Sequence, residues 1–306
     1  MKPRFLDVDD LDHAGLERVL ARAIAWKVDP ASVEPVLAGR GVAALFEKPS
    51  LRTRVSTEMA VATLGGHPVS LRGEEVGFGS RETPADIART LAGYCAVITA
   101  RVFDHAVLEE MADAVASRMT PVVNLLSDDA HPCQALADLM TLREQWGSLE
   151  GRRLAYVGDG NNMAASLAIG AAMTGMEMVL ATPSEYELDE EVVARARNLG
   201  GSVEVHSVPH EAVQGVDAIY TDVWTSMGQE EEAAARRVAF EGFCVDEALM
   251  DAVGGKALFL HCLPAHRGEE VADAVIDGPN SVVWQQAENR MHAIRSLFVE
   301  LLAEDA

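Results

Sequence analysis

Short apolar runs rich in β-branched residues alternate with longer segments of helical periodicity along most of the chain. In the first half the runs lie at 41–46, 68–71, 96–100 and 121–125, and the helical segments lie near 54–64, 84–93 and 105–116. This alternation is typical of βαβ units, in which helices cross over between parallel strands. The sequence therefore predicts an α/β fold built on parallel sheets.

A second block of the same kind follows a glycine-marked break. An apolar-periodic helix runs from Pro132 to Trp146, and Gly147 and Gly151 then precede a fresh strand. The strands of this block are predicted near 153–157, 177–181, 202–206, 217–221 and 257–261, with helices between them. The 306 residues leave room for two domains. We therefore predict two domains, each a parallel sheet flanked by helices, and a C-terminal helix packing back on the first domain; the bounds are 1–146, 147–286 and 287–306.

The chain is strongly acidic, with 48 Asp+Glu, 25 Lys+Arg and a formal net charge of −23. A surface of that sign repels phosphate backbones and anionic lipids, so neither nucleic acid nor membrane is expected as a partner. The four cysteines include no C-x-x-C pair, which suits reduced thiols. The first residues become acidic where a signal peptide would need an apolar stretch. No run of apolar residues approaches the roughly 18 that a membrane span requires. We therefore expect a cytoplasmic protein.

Two arginines stand in the first turn of a predicted helix, in the run FEKPSLRTR that begins at Phe46. Cations there oppose the positive end of the helix dipole, at about 0.3–1 kcal/mol each, whereas a bound anion gains from that dipole. Ser50 can cap the helix, Thr53 can donate a hydrogen bond, and Arg52 offers a planar fork for phosphate oxygens. The alternative is an ordinary serine cap with solvated arginines, and so short a motif does not separate the two.

A histidine precedes a proline at another junction from strand to helix, in the run NLLSDDAHPCQ. Because Pro132 suits the first helical position, His131 is expected at a positive helix end, where the neutral imidazole is favoured and can donate to a carbonyl oxygen. A capping or packing role is the alternative for such a histidine, and Gln134 and Arg101 are ambiguous alone. Since the carboxyl ends of parallel strands line one crevice, Ser50, Arg101 and His131 should face the same pocket.

A glycine-rich turn, GDGNNM at 158–163, follows the first strand of the second half. It resembles half of a dinucleotide fingerprint, but Met163 stands at the third glycine position and no clear ribose-binding acid follows about twenty residues later. We therefore discount a nicotinamide site. Asn162 can instead hold a substrate carboxylate near the helix start.

Asp222 follows another predicted strand and opens the run DVWTSMGQE. Its carboxylate suits an ammonium group, and Ser226 with the Met227 N–H can complete a clamp for an amino acid. The alternative is an Asp cap on a surface turn.

Cys262 lies in the run LHCLPAHRG, at the end of the last predicted strand. Although His261 and His266 are close in sequence, neither their spacing nor a second cysteine completes a zinc site, so no metal is predicted. Arg290, in the run ENRMH at the start of the terminal helix, brings one more guanidinium; a solvated helix face explains it equally well alone.

These motifs, in this order and at these separations, resemble the ornithine branch of the aspartate/ornithine carbamoyltransferase family over nearly the whole chain. In that family the Ser-x-Arg-Thr-Arg and His-Pro-x-Gln motifs bind carbamoyl phosphate, and the Ser-Met-Gly loop marks ornithine rather than aspartate. The resemblance implies transfer of the carbamoyl group from carbamoyl phosphate to the δ-amine of L-ornithine, giving L-citrulline and phosphate without a cofactor or metal. It also implies domain closure and a homotrimer or a multiple of trimers.

Carried over by position, the resemblance implies two sets of binding residues. Carbamoyl phosphate would be held by Ser50, the Leu51 backbone, Arg52, Thr53, Arg101, His131, Gln134, the Leu263 carbonyl and Arg290. Ornithine would be held by Asn162, Asp222, Ser226, Met227 and Cys262. Catalytic roles would fall to Arg52, Arg101, His131, Asp222 and Cys262. The Leu263 carbonyl is expected beside a cis bond to Pro264, which only an X-Pro site accommodates at low cost.

One position departs from the family. Where the family often has a glutamine that reaches into the neighbouring subunit's site, this chain has Gly77, so that contact is left open, with Ser80 or Arg81 as substitutes. Three alternatives also stay open: a carbamoyltransferase for acetylornithine, lysine or putrescine, a non-catalytic ligand-binding paralogue, and a nicotinamide dehydrogenase. The joint presence of Arg52, His131, Asp222 and Cys262 argues against the second.

Overall fold

The computed structural model describes residues 4–77, 81–226 and 228–303. The chain forms two compact units: Met1–Met140 with Glu288–Ala306, and Thr141–Ala287. The first unit thus takes in the end of the chain as well as its beginning. Among the residues described, no helix combines the length and apolar character needed to cross a bilayer.

The first unit contains a five-stranded sheet in which every pairing is parallel. Its strands are β1 (Arg4–Phe5), β2 (Gly41–Phe46), β3 (His67–Arg72), β4 (Cys95–Arg101) and β5 (Val122–Leu126). In space they follow the order β1-β5-β4-β2-β3. The central strands read as continuous apolar runs because both faces of a parallel sheet are covered, and residues 42–45 of β2 are at most 1% exposed.

Within the part of this unit that the structure describes, six α-helices begin: α1 (His13–Val28), α2 (Leu51–Thr63), α3 (Gly73–Val76), α4 (Pro84–Leu91), α5 (His105–Val115) and α6 (Pro132–Trp146). Polar side chains set their starts: Asp12 caps α1, Ser50 caps α2 and Thr83 caps α4. Helices α4 and α5 contribute Ile87, Leu108 and Met111 to an apolar core against the sheet.

The second unit repeats this architecture with its own parallel sheet. Its strands are β6 (Arg153–Val157), β7 (Glu177–Ala181), β8 (Ser202–His206), β9 (Ala218–Thr221) and β10 (Leu258–His261), in the spatial order β10-β9-β6-β7-β8. Its helices are α7 (Asn162–Thr174), α8 (Glu190–Asn198), α9 (Pro209–Ala212), α10 (Ala233–Ala239), α11 (Glu247–Ala252) and α12 (Asp273–Ile276). Trp224, Phe240 and Phe259 lie in its core. The terminal helix, α13 (Val283–Leu302), starts in this unit and continues into the first.

The predicted fold class is confirmed, because two parallel sheets flanked by helices are present and the terminal helix packs on the first unit. The nine predicted strands correspond to β2 through β10 within one residue at each end. Strand β1 and helix α1 were not predicted; β1, at two residues, is too short to show a periodicity. The predicted starts of α2 and α13 were wrong by three and four residues. The first turns of both helices precede the apolar spacing on which the predictions rested.

In each sheet, the carboxyl ends of three neighbouring strands lie side by side. In the first unit these are the ends of β5, β4 and β2. His131 follows β5, Arg101 is the last residue of β4, and Ser50 follows β2. In the second unit these are the ends of β10, β9 and β6. Cys262 follows β10, Asp222 follows β9, and the turn after β6 leads into α7. Parallel strands end at the same edge of their sheet, so each unit gathers polar side chains at one edge.

Candidate active site

Ser50 and Thr53 organise the amino end of α2. The Thr53 N–H donates to Ser50 Oγ at 3.2 Å, which confirms Ser50 as the helix cap. Thr53 is buried, whereas Leu51 is 75% exposed and offers its backbone in the first helical turn. The remaining N–H groups of this turn, together with the side chain of Arg52, form a positive helix end suited to an anion.

Two further guanidiniums converge on the Thr53 hydroxyl. Arg101 Nη1 donates to Thr53 Oγ1 at 3.3 Å, and Arg290 Nη2 donates to the same oxygen at 2.9 Å. Arg101 ends β4, and Arg290 comes from α13. Because a hydroxyl oxygen has two lone pairs, the two donors occupy both of them, and the Thr53 hydrogen is left to be donated to a third group. We call Arg52, Thr53, Arg101, His131 and Arg290 the cationic cluster.

His131 is the imidazole of the cationic cluster, and it is neutral. It is 7% exposed and stands directly before α6, which begins at Pro132 as predicted. Burial lowers the pKa of His131 well below its usual range, and the charges of Arg290, Arg101 and Arg52 lower that pKa further. The imidazole is therefore neutral at physiological pH, as predicted from the sequence, although burial rather than the helix end is the main cause.

The depressed pKa of His131 makes a contribution to stability that depends on pH. The unfolded chain binds a proton at His131 near pH 6.5 and the folded chain does not, so stability falls as the pH drops below 6.5. Relative to His131→Gln, the wild type should lose about 1 kcal/mol of unfolding free energy between pH 7 and pH 5.5. Urea unfolding at both pH values measures this loss, with His67→Gln on the exposed surface as control. A constant difference would contradict the neutral assignment.

Gln134 is held in a fixed orientation. Its Oε1 accepts from Arg290 Nη1, and its Nε2 donates to Asp138 Oδ1 at 2.7 Å. Gln134 and Asp138 are both buried on α6. The sequence reasoning missed Asp138, because a carboxylate one helical turn after a glutamine has no signature of its own.

Lys48 braces the loops that carry the cationic cluster. Its ammonium donates to Asp128 Oδ1 at 2.6 Å and lies 4.1 Å from the centroid of the Phe103 ring. Lys48 follows β2, Phe103 follows β4 and Asp128 follows β5, so one buried cation connects the loops after all three strands. Lys48 stands inside the FEKPSLRTR run but was not singled out from the sequence, since its partners are distant in the chain.

Asp222 is the centre of the polar group in the second unit. Its Oδ1 accepts from the Cys262 thiol at 2.9 Å and from the Val223 N–H at 2.8 Å. Its Oδ2 accepts from Asn161 Nδ2 at 3.2 Å. We call Asn161, Asp222 and Cys262 the Asp222 cluster. This arrangement fixes the carboxylate at the end of β9, where it can receive an ammonium group.

Asn161 is a residue that the sequence reasoning did not assign. Its Oδ1 accepts from the N–H groups of Met163 and Ala164, which caps α7, and also from the Tyr156 hydroxyl at 3.1 Å. The amide is thereby oriented with Nδ2 toward Asp222. Asn162, which was predicted as a ligand, is the first residue of α7 and is partly exposed. The capping role of Asn161 was readable from its position before the helix.

Ser226 lies in the loop after β9, with its N–H donating to Gln229 Oε1 at 3.1 Å. Met227 and Ser80 lie outside the described residues. Arg236, buried on α10, braces the loop start by donating to the Trp224 carbonyl at 2.9 Å and to Asp159 Oδ2 at 2.9 Å. Burial raises the pKa of Asp159 to about 6, with the Arg236 charge opposing that rise, so the pair is ionised at neutral pH.

Leu263 belongs to the second unit, with Cys262 beside it. The predicted cis bond between Leu263 and Pro264 is confirmed, and Leu263 has φ 60°. Ligand atoms of Asp222, His261 and Cys262 lie within 4.8 Å of one another, a spacing that a metal ion can use. Both ring nitrogens of His261 are already engaged in hydrogen bonds, to the Leu263 N–H and to Glu270, so this group does not fit a metal.

The amino-acid sequence also matches known proteins over its full length. Residues 4–144 match the aspartate/ornithine carbamoyltransferase carbamoyl-P binding domain, and residues 150–301 match the Asp/Orn binding domain of the same family. The ornithine carbamoyltransferase of Acidothermus cellulolyticus is 49% identical over 97% of this chain and 96% of its own length. The chain belongs to the aspartate/ornithine carbamoyltransferase family.

Further members of the family agree with this placement. The ornithine carbamoyltransferase of Methanoculleus marisnigri is 45% identical over 99% of this chain and 98% of its own length. The solved structure of ornithine carbamoyltransferase from Pyrococcus furiosus is 46% identical and superposes with a TM-score of 0.91, covering 96% of this chain and 95% of that one. The family's two matched domains divide the chain within about ten residues of the break between the compact units.

Proposed function

We propose that this chain is an ornithine carbamoyltransferase, which moves the carbamoyl group of carbamoyl phosphate to the δ-amine of L-ornithine and releases L-citrulline and phosphate. The observation that carries the proposal is the cationic cluster. Two guanidiniums, those of Arg101 and Arg290, donate to the Thr53 hydroxyl at a helix amino end. Their charges, together with that of Arg52, act on the neutral imidazole of His131. A phosphate dianion balances such charge, and the neutral donors suit the carbonyl of the same molecule.

In this proposal the first unit binds carbamoyl phosphate. Arg52 and the backbone around Leu51 hold the phosphate, with Ser50 fixing the helix start. Arg101, Thr53 and His131 donate hydrogen bonds to the carbamoyl oxygen. Removal of one such donor in other enzymes costs about 3–4 kcal/mol of transition-state stabilisation, so three donors aimed at one oxygen make a large contribution.

The second unit binds ornithine in this proposal. Asp222 and Cys262 hold an amine of the substrate, and Asn162 with Ser226 and Met227 hold the amino-acid end. The fixed geometry of the Asp222 cluster supports this role, because its carboxylate is oriented before any ligand arrives. Preorganised groups lose little entropy on binding.

The chemistry that follows is an acyl transfer. The free δ-amine has a lysine-like pKa near 10.4, so it must lose a proton, and removal from water favours the neutral form. Its nitrogen then bonds to the carbamoyl carbon, and the oxyanion that forms is stabilised by Arg101, Thr53 and His131. The bond from carbon to the phosphate oxygen breaks, and phosphate leaves with the electron pair. The excess amine proton passes to phosphate or solvent.

A product assay with a panel of amines tests the proposal. Citrulline is expected from ornithine plus carbamoyl phosphate, and from neither substrate alone. N-acetylornithine, lysine and putrescine serve as the rival acceptors. A preference for one of them would overturn ornithine as the substrate, and ligand binding without any product would favour the non-catalytic paralogue.

We further propose that the protein acts in the cytoplasm as a homotrimer or a multiple of trimers. The cysteine pattern supports the reducing compartment. An exposed apolar stripe supports the assembly: Leu51, Val55 and Met59 lie four residues apart on α2 and are 75%, 49% and 47% exposed. Residues at this spacing share one helix face, and apolar patches of this kind mark contacts between proteins.

Placing a charge on this stripe should disrupt the assembly. We expect the wild type to have the mass of three chains, or a multiple, and Met59→Glu to shift toward one chain, because a carboxylate cannot be buried unpaired in an apolar contact. Light scattering coupled to size exclusion measures the mass. Val238→Glu is the matched control, since Val238 is 73% exposed on α10, a helix of the second unit that is no part of the stripe. A wild type with the mass of one chain would contradict the trimer.

A further inference from the structure

His261 and Glu270 form a fully buried pair beside the Asp222 cluster. Both side chains are 0% exposed, and His261 Nε2 lies 3.1 Å from Glu270 Oε1. The Leu263 N–H lies 2.8 Å from the other ring nitrogen, Nδ1. A backbone N–H can only donate, so Nδ1 must accept and the ring proton resides on Nε2. The carboxylate of Glu270 accepts a hydrogen bond from this Nε2–H and thereby fixes the tautomer of His261.

The same carboxylate secures the loop that follows β10 at two points. Through His261 it holds the N–H of Leu263, and directly it accepts from the His266 N–H at 2.5 Å. Leu263 has φ 60°, a left-handed conformation that is unfavourable for leucine and persists only where surrounding contacts hold it. Cys262, whose thiol donates to Asp222, stands between His261 and Leu263. The direction of the Leu263 peptide and the place of the Cys262 thiol therefore depend on this pair.

The pair is costly to bury. Glu270 Oε2 has no hydrogen-bond partner among the described residues, although Glu270 is 0% exposed. An unpaired carboxylate oxygen in the interior lowers stability, and two apolar residues of similar volume would avoid that loss. Locally unfavourable arrangements of this kind are concentrated at functional sites, where they hold other groups in a required geometry.

We propose that Glu270 is a positioning residue for carbamoyl transfer: it sets the tautomer of His261 and so holds the Leu263 backbone and the Cys262 thiol in their working orientation. The inference rests on the proposed function, which places Cys262 on the amine of ornithine, and on the family resemblance, which places the Leu263 carbonyl on carbamoyl phosphate. Glu270 itself touches neither substrate in this scheme. Its effect should therefore fall on turnover more than on the binding of ornithine.

Three substitutions at Glu270 test the proposal. Glu270→Gln keeps an oxygen that accepts from both His261 and the His266 N–H, and kcat should stay within about threefold of the wild type. Glu270→Leu removes the acceptor at similar volume, and kcat should fall about 100-fold, as for displacements near 1 Å at reacting groups. Glu270→Asp retracts the carboxylate by one methylene, so it should lose an intermediate amount while remaining folded. The ornithine KM should change by a smaller factor than kcat, because Asp222 and Asn161 remain in place while only the Cys262 thiol is displaced.

The tautomer of His261 can be measured directly, and a substitution at Glu270 that only lowered stability would leave this tautomer unchanged. Nitrogen NMR of His261 should show the Nε2–H form in the wild type and in Glu270→Gln, and a mixture of tautomers in Glu270→Leu. A wild type with the Nδ1–H form would overturn the proposal. So would Glu270→Leu and Glu270→Asp variants that turn over at the wild-type rate per folded molecule. Failure of the proposed function looks different, since the wild type would then make no citrulline.

Discussion

Replacing Arg52 by alanine should lower kcat/KM for carbamoyl phosphate by about 10²–10³-fold while leaving the protein folded. Arg52 lies in the first turn of α2 and is partly exposed, so its loss removes charge from the cationic cluster without opening a cavity. A donor that stabilises developing charge contributes on this scale. Steady-state citrulline formation at varied carbamoyl phosphate measures the change, and calorimetry with carbamoyl phosphate shows whether binding falls with it.

Arg54→Ala is the matched control for Arg52→Ala. Arg54 lies two residues further on the same helix, but its guanidinium is committed elsewhere: Nε donates to Glu58 Oε1 at 3.2 Å, and the group lies 5.6 Å from the centroid of the Phe46 ring. The two variants lose the same charge and the same side chain, so a difference between them reports the position of the guanidinium. Equal activity in both would remove Arg52 from the phosphate site.

Asp222→Asn should weaken ornithine binding by about 10²-fold and leave carbamoyl phosphate binding intact. The substitution removes the charge that receives an ammonium group, and charge-assisted contacts are about twice as strong as neutral ones. It also disturbs the Asp222 cluster, because Asn161 Nδ2 donates to the oxygen that an amide nitrogen would replace. Calorimetric titration with each substrate separately measures the two affinities.

Asp217→Asn provides the comparison for Asp222→Asn. Asp217 stands just before β9, at the other end of the strand from Asp222, where it accepts from Arg152 and from the Arg153 N–H. Its replacement removes the same charge from the same strand and should leave the ornithine affinity unchanged. If Asp222→Asn reduced the affinities for both substrates equally, the assignment of Asp222 to ornithine would fail.

Features with a local chemical cause were predictable from the sequence. Ser50 was expected to cap α2 because a short side-chain oxygen before a helix accepts from the third residue on, and it does. Pro132 was expected to begin α6 because it lacks the N–H that a first helical position leaves unpaired. The strands followed from apolar runs, and their parallel pairing indicated which polar residues would share an edge.

Features that depend on distant pairs were not predictable in this way. Lys48 connects loops after three strands, Arg236 braces the loop before Ser226, and Glu270 acts through His261. None of these residues has a spacing that points to its partner. The contact between Arg290 and Thr53 is similar: the resemblance assigned Arg290 to the phosphate, but the residues alone left it as a helix-face cation. Only the folded chain shows which long side chains meet.

The contact between Arg290 and Thr53 joins residues 237 positions apart, and it has a consequence for synthesis. A ribosome translates every residue assigned to ornithine before it reaches the codon for Arg290. An unfinished polypeptide therefore lacks one of the three guanidiniums of the cationic cluster, and its Thr53 hydroxyl lacks one of two donors. The phosphate site proposed for the first unit is thus complete only after the last helix of the chain has been made and folded.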